Sequence, residues 1–188
     1  MSLLGKIGNT FADLTGFEVY GERLAGSDHP AAIVLDVPGL RQTRDFSCGY
    51  VAALMVVWTF RRPRTKAGET RSMTSLWPRV EPDTEAGTST TRMISALRAS
   101  GIGVSHRRDL DFDGIASAIT DGYPIIAAVK TADPDTEHWV VIYGANPSLR
   151  TVFVAGNELP FIGRNEYRWG QFRRIWAEPG VGLVCWGK

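Results

Sequence analysis

Gln42-Thr43-Arg44-Asp45-Phe46-Ser47-Cys48-Gly49-Tyr50-Val51-Ala52-Ala53-Leu54-Met55-Val56-Val57-Trp58-Thr59-Phe60 is the stretch that decides the fold of this chain. From Ser47 to about Phe60 the side chains are apolar almost all round, which predicts a helix buried at the centre of a fold. Arg61-Arg62-Pro63 ends it. Cys48 stands where that helix begins. Unsatisfied backbone N–H groups and the positive end of the helix dipole favour a thiolate there. Cysteine pKa values fall from about 8.5 to roughly 3.5–7.5 at such positions and beside a cationic histidine. A lone cysteine on an apolar helix is nonetheless more often a core residue. Its neighbours have to decide.

Upstream, Gln42 precedes the helix by six residues. An amide held there can donate to a developing oxyanion beside the Cys48 backbone N–H, although a loop glutamine is usually solvated. Before it, Ala31 to Val37 is a β-branched run closed by Pro38-Gly39, which predicts a strand entering a turn. Downstream, Pro63 to Gly87 is rich in Thr, Pro and Arg without a clear period, and reads as an irregular loop. Thr88 or Ser89 can cap a second helix with Met93, Ile94 and Leu97 inward and Gly101 as its stop. A strand follows from Gly103 to Arg107. Asp113 is expected to cap a third helix through Ile115 and Ile119, ended by Gly122 before a Pro124 to Val129 strand.

The remainder is strand-rich, with His138 to Tyr143, Thr151 to Ala155 and Val181 to Trp186. Helices early and strands late make an α+β domain. His138 begins its strand, where an imidazole is open to a cleft yet held by the sheet, as a general base requires. Seen alone it is more often a surface histidine at a loop end. A hairpin turning near Asn146-Pro147 would bring the end of the next strand, Ala155-Gly156-Asn157-Glu158, back beside His138. Asn157 is then the best group to orient the imidazole, with Glu158 and Asn146 as rivals, Asn146 being better suited to the turn.

The whole chain sets bounds. Its 188 residues fit one domain, which we place at 31–188 behind an N-terminal extension, 1–30. Hydrophobic residues make up 44% and the formal net charge is +1, so composition alone points neither to nucleic acid nor to a membrane surface. Met1 to Thr15 has too short an apolar run, interrupted by Asp13, for a signal peptide, and no run approaches a membrane span. With only two cysteines, Cys48 and Cys185, a reducing, cytoplasmic setting is expected.

Taken in order, these residues resemble the papain-like cysteine peptidases, and most closely the bacteriocin-leader (double-glycine) peptidases, cysteine peptidase family 39, with their stand-alone relatives. The resemblance runs from about Val37 to Cys185. It rests on Gln42 before Cys48-Gly49, Ala53-Leu54, Gly87-Thr88-Ser89 before Ala96-Leu97, Asp121-Gly122-Tyr123-Pro124-Ile125-Ile126, His138-Trp139-Val140-Val141, and Phe172 with Trp176. It implies a papain-like fold with a central buried helix packed on a C-terminal antiparallel sheet. It also implies Cys48 as nucleophile, His138 as proton shuttle, Gln42 in an oxyanion hole, and an acyl-enzyme formed on a peptide or protein substrate. No cofactor is called for. Where the family usually carries Asp followed by Pro, this chain has Asn157-Glu158-Leu159-Pro160, and papain-type enzymes accept Asn in that role. With no transporter attached, the double-glycine leader is not carried over as substrate.

Several features are better read as ordinary structure. Asp109-Leu110-Asp111-Phe112-Asp113-Gly114 imitates the opening of a calcium loop, but its twelfth position is Thr120 rather than Glu, so helix capping is preferred. Cys48, Cys185, His29, His106 and His138 contain no closely spaced pair of zinc ligands. Arg61-Arg62-Pro63-Arg64-Thr65-Lys66 lacks the interleaved aromatics of a nucleic-acid site and reads as a solvated loop. Cys185 alternates into the core of a terminal strand. Two functions from different classes remain: a thiol hydrolase or acyl-transferase, and a papain-like module that binds peptides without cleaving them.

Overall fold

The computed structural model describes residues 20–22, 24, 26–41, 45–80, 87–131, 133, 136–156 and 166–188. The predicted central helix is α1, Cys48–Arg61, entered through a 3-10 turn at Asp45–Ser47. All its residues from Cys48 to Trp58 are buried, as its apolar circumference requires. One face of α1 packs on the sheet and another on two further helices, α2 (Lys66–Val80) and α3 (Thr90–Ala99).

Helix α2 corrects the expectation of an irregular loop from Pro63 to Gly87. Thr, Ser and Gly weaken its helix propensity, and only Met73, Leu76 and Val80 turn inward, so its periodic signal is thin. Tertiary contacts supply what propensity does not. Tyr50 donates its hydroxyl hydrogen to the Met73 carbonyl at 3.2 Å, and Trp58 Nε1 donates to Ser72 Oγ at 2.9 Å. Helix α3 forms as expected, with Ser89 accepting from the Arg92 N–H and Gly101 at φ +76° just past its end.

A short pair, β1 (Tyr20–Glu22) and β3 (Gly39–Arg41), is antiparallel and separate from the main sheet. The main sheet has β4 (Ile102–Arg107), β9 (Gly182–Gly187), β5 (Ile125–Lys130), β6 (Glu137–Asn146), β7 (Thr151–Ala155) and β8 (Glu166–Arg168) side by side. The pairs are antiparallel throughout. The strand expected over Ala31 to Val37 is reduced to β2 (Ile33–Val34), which pairs with the far end of β6. Val37 already turns back to bond the Leu35 carbonyl, which ends extended pairing.

Side chains alternate across this sheet with period two. Ile126, Val141, Tyr143, Phe153, Ala155 and Leu183 face the α1 side. Ile125, Ala127, Val140, Ile142, Val152 and Val154 face α4 (Phe112–Thr120) and α5 (Trp169–Ile175). Because both faces are covered, β5, β6 and β7 read in sequence as continuous apolar runs. The cap of α4 is Asp111, whose carboxylate accepts from the Gly114 N–H at 2.8 Å, while Asp113 lies inside the first turn. Helix α4 thus begins earlier than expected. Asp111→Ala is expected to cost about 1 kcal/mol and Asp113→Ala only a few tenths; urea unfolding of the two variants checks this, and equal losses would count against Asp111 as cap. Asp109, the other part of the calcium-like run, pairs with Arg107 at 2.8 Å.

Candidate active site

Cys48 and His138 line one small cavity. Its other walls are Leu40 from β3, Val51, Ala52 and Met55 from α1, Trp139 from β6, and Ala155 with Gly156 at the end of β7. Cys48 is the first residue of α1, so its sulfur sits at the positive end of a 14-residue helix. His138 is the second residue of β6, paired across the ladder with Val129 of β5, which fixes its backbone on that side. The two reach one cavity because α1 lies across the β6–β7 hairpin, which turns after Asn146 as the sequence predicts. Asn146 is fully buried, and its Oδ1 accepts from the Ser148 and Leu149 N–H groups at 3.1 and 3.2 Å, the turn role expected of it.

Two glycines make the approach possible. A Cβ on Gly49 would lie 2.6 Å from Thr88 Cβ, so only glycine admits the Thr88 side chain against the start of α1. A Cβ on Gly156 would lie 2.6 Å from Val140 Cγ1 and 3.5 Å from His138 Nε2. The missing side chain at 156 is therefore the space beside the imidazole. Trp139 Nε1 donates to the Thr88 carbonyl at 2.8 Å and ties β6 to the segment before α3. Thr88, read as a possible helix cap, is instead buried against Gly49, and Ser89 does the capping.

The site is dry. His138 is 3% exposed, and burial lowers its pKa to about 4, so the imidazole is neutral at pH 7. A neutral imidazole is the form that accepts a proton. Cys185, the other thiol, is fully buried in β9, and its Sγ donates to the Leu183 carbonyl at 3.4 Å. Burial pushes that thiol far above the usual cysteine range. Gln42, Asn157 and Glu158 lie outside the described residues. Leu40 and Gly156 are wall residues that sequence reasoning gave no role in the site. A glycine directly before Asn157 was the signal available for Gly156. Among the described residues no three His, Cys, Asp or Glu side chains gather as a metal site would need.

No protein-family model matches the chain, and no curated protein matches it. Solved structures do. The peptidase domain of Streptococcus ComA, a bifunctional ABC transporter of a quorum-sensing pathway, superposes with a TM-score of 0.59 at 15% identity, covering 78% of this chain and 96% of that one. A double-glycine-motif protease from an AMS/PCAT transporter, solved with its leader peptide, gives 0.59 at 15% identity over 82% and 94% of the two chains. A C39-like peptidase of Bacillus anthracis gives 0.59 at 11% identity over 84% and 98%. The helices packed on one antiparallel sheet thus have the α+β, papain-like fold of the double-glycine (C39) peptidase domains.

Proposed function

We propose that the chain is a thiol hydrolase acting on a peptide or related amide, with Cys48 as nucleophile and His138 as the group that moves the proton. The observation that carries this reading is the shared cavity of Cys48 at a helix N-terminus and a neutral, buried His138 at a strand start. Cys48 Sγ attacks the carbonyl carbon and its proton passes to His138. The C–N bond then breaks, and the amine leaves with that proton. Water attacks the thioester, gives a proton to His138, and the C–S bond breaks as the acid is released with the thiol restored. In this reading Gln42 and the Cys48 N–H receive the oxyanion. Nε2 of His138 lies toward Gly156, which supports the next residue, Asn157, as the group that orients the ring.

Iodoacetamide at mildly acidic pH tests it. Cys48 is expected to be alkylated faster than Cys185, and His138→Ala to abolish the difference. Equal, slow labelling of both thiols would sink the reading. Asn157-Glu158, where the resembled family carries Asp followed by Pro, favours a second possibility, a peptide-binding module without turnover. That reading requires binding to survive Cys48→Ala and no covalent adduct to form with an electrophilic amide mimic.

A further inference from the structure

Trp139 is a wall of two cavities. One is the Cys48–His138 cavity; the other is a groove of about 340 Å³ that runs across the same end of the sheet. The groove crosses from β6, through β5 and β9, to the edge strand β4, with Ile94 of α3 and Leu183 of β9 along its length. Its charges are ordered. Glu137 begins β6, directly before His138. Glu178 belongs to the connection that starts where the Ala177 N–H bonds the Ala128 carbonyl of β5. Arg108 follows β4 at the opposite end, where the same connection closes on it through Gly180.

These three charged side chains form no ion pair among the described residues. That includes Lys130, which stands opposite Glu137 across the β5–β6 ladder. Glu137, Glu178 and Arg108 are all exposed, and charges set along a groove that also presents Trp139 and Ile94 suit a ligand of complementary pattern. Three interstrand steps separate β6 from β4, or about 14 Å, which is the reach of roughly four extended residues. Trp139 and Ile94 offer apolar surface to the stem of a long side chain whose head reaches a carboxylate.

We infer that this groove is the substrate-selecting arm of the site: it takes an extended peptide with a basic side chain beside Trp139 and Glu137, and an acidic side chain about four residues further on at Arg108. The inference rests on the thiol-hydrolase reading for its place next to the reacting bond, but its test does not use turnover. Fluorescent peptides that differ only in charge order, lysine then aspartate about four residues apart, the reverse order, and a neutral pair, are titrated against Cys48→Ala at low ionic strength. The lysine-first or aspartate-first direction of the chain is covered by including both sequence orientations of each pattern. One orientation of the opposite-charge pattern is expected to bind about tenfold tighter than its reverse and than the neutral peptide. The double variant Glu137→Lys, Arg108→Glu in the same background is expected to invert that preference. Affinities within twofold of each other, no binding by any peptide, or a preference that the double variant leaves unchanged each overturn the inference. Selective alkylation of Cys48 in the unmodified protein is measured alongside, so that loss of this inference and loss of the catalytic reading are told apart.

Discussion

His138→Ala is expected to slow acylation of Cys48 by about 10³-fold or more. At pH 7 the buried imidazole is neutral, since desolvation holds its pKa near 4, and it lines the same cavity as the sulfur. Removing it leaves the thiol proton without an acceptor in a site that holds space for little more than one water. The leaving amine loses its proton donor in the same stroke. Single-turnover acylation by an activated peptide ester or amide measures the effect. His138→Gln serves as the variant that refills most of the space, so a packing defect is separated from loss of the base. Rates within tenfold of the unmodified protein for both variants, with melting temperatures unchanged, would remove His138 from the chemistry. The acid side of the rate profile follows from the same group: activity should fall as pH drops through about 4, where His138 becomes protonated and stops accepting.

The second large effect is on stability. His138 has a folded pKa near 4 against about 6.5 for an unfolded histidine, so between those values the unfolded chain binds a proton that the folded chain refuses. Stability from this group is complete above pH 6.5 and is lost as pH falls toward 4, by about 3 kcal/mol in all. Below pH 4 both states are protonated and the loss stops growing. Urea unfolding at pH 7 and pH 4.5, for the unmodified protein and for His138→Gln, isolates it, because other acid-sensitive groups are common to both. A difference in acid sensitivity under about 1 kcal/mol would mean that water reaches the imidazole far more freely than its 3% exposure allows.

Much of the architecture was legible because it is local. The apolar circumference of 48–58, the Ser89 cap, Gly101 and Gly122 at positive φ, and the Asn146 turn are each written within a few residues. Helix α2 was not legible, since its stability comes from Tyr50, Trp58 and the core beneath Met73 and Leu76 rather than from its own composition. Helix α5 was missed for a related reason. It is only seven residues long and is held by Phe172 and Trp176 stacking among Trp169 and the second core. The cap of α4 went to Asp113 instead of Asp111 because consecutive aspartates two apart give the same local signal, and the backbone bend at Asp111 decides between them.

Cys48 is a lone cysteine on an apolar helix. By itself the sequence determined that helix, its place at the centre of an α+β fold and the hairpin that returns β7 along β6 through short-range periodicity and turn chemistry, while the thiol and imidazole to look for came from the resemblance in the order of its motifs. Only the tertiary structure decided that Cys48 and His138 line one cavity, because their meeting depends on how α1 lies across the sheet. It also decided that the imidazole is desolvated and neutral, and that Glu137, Glu178 and Arg108 are strung along one groove. Burial and long-range charge order arise from packing distant segments together, and no window of residues contains them.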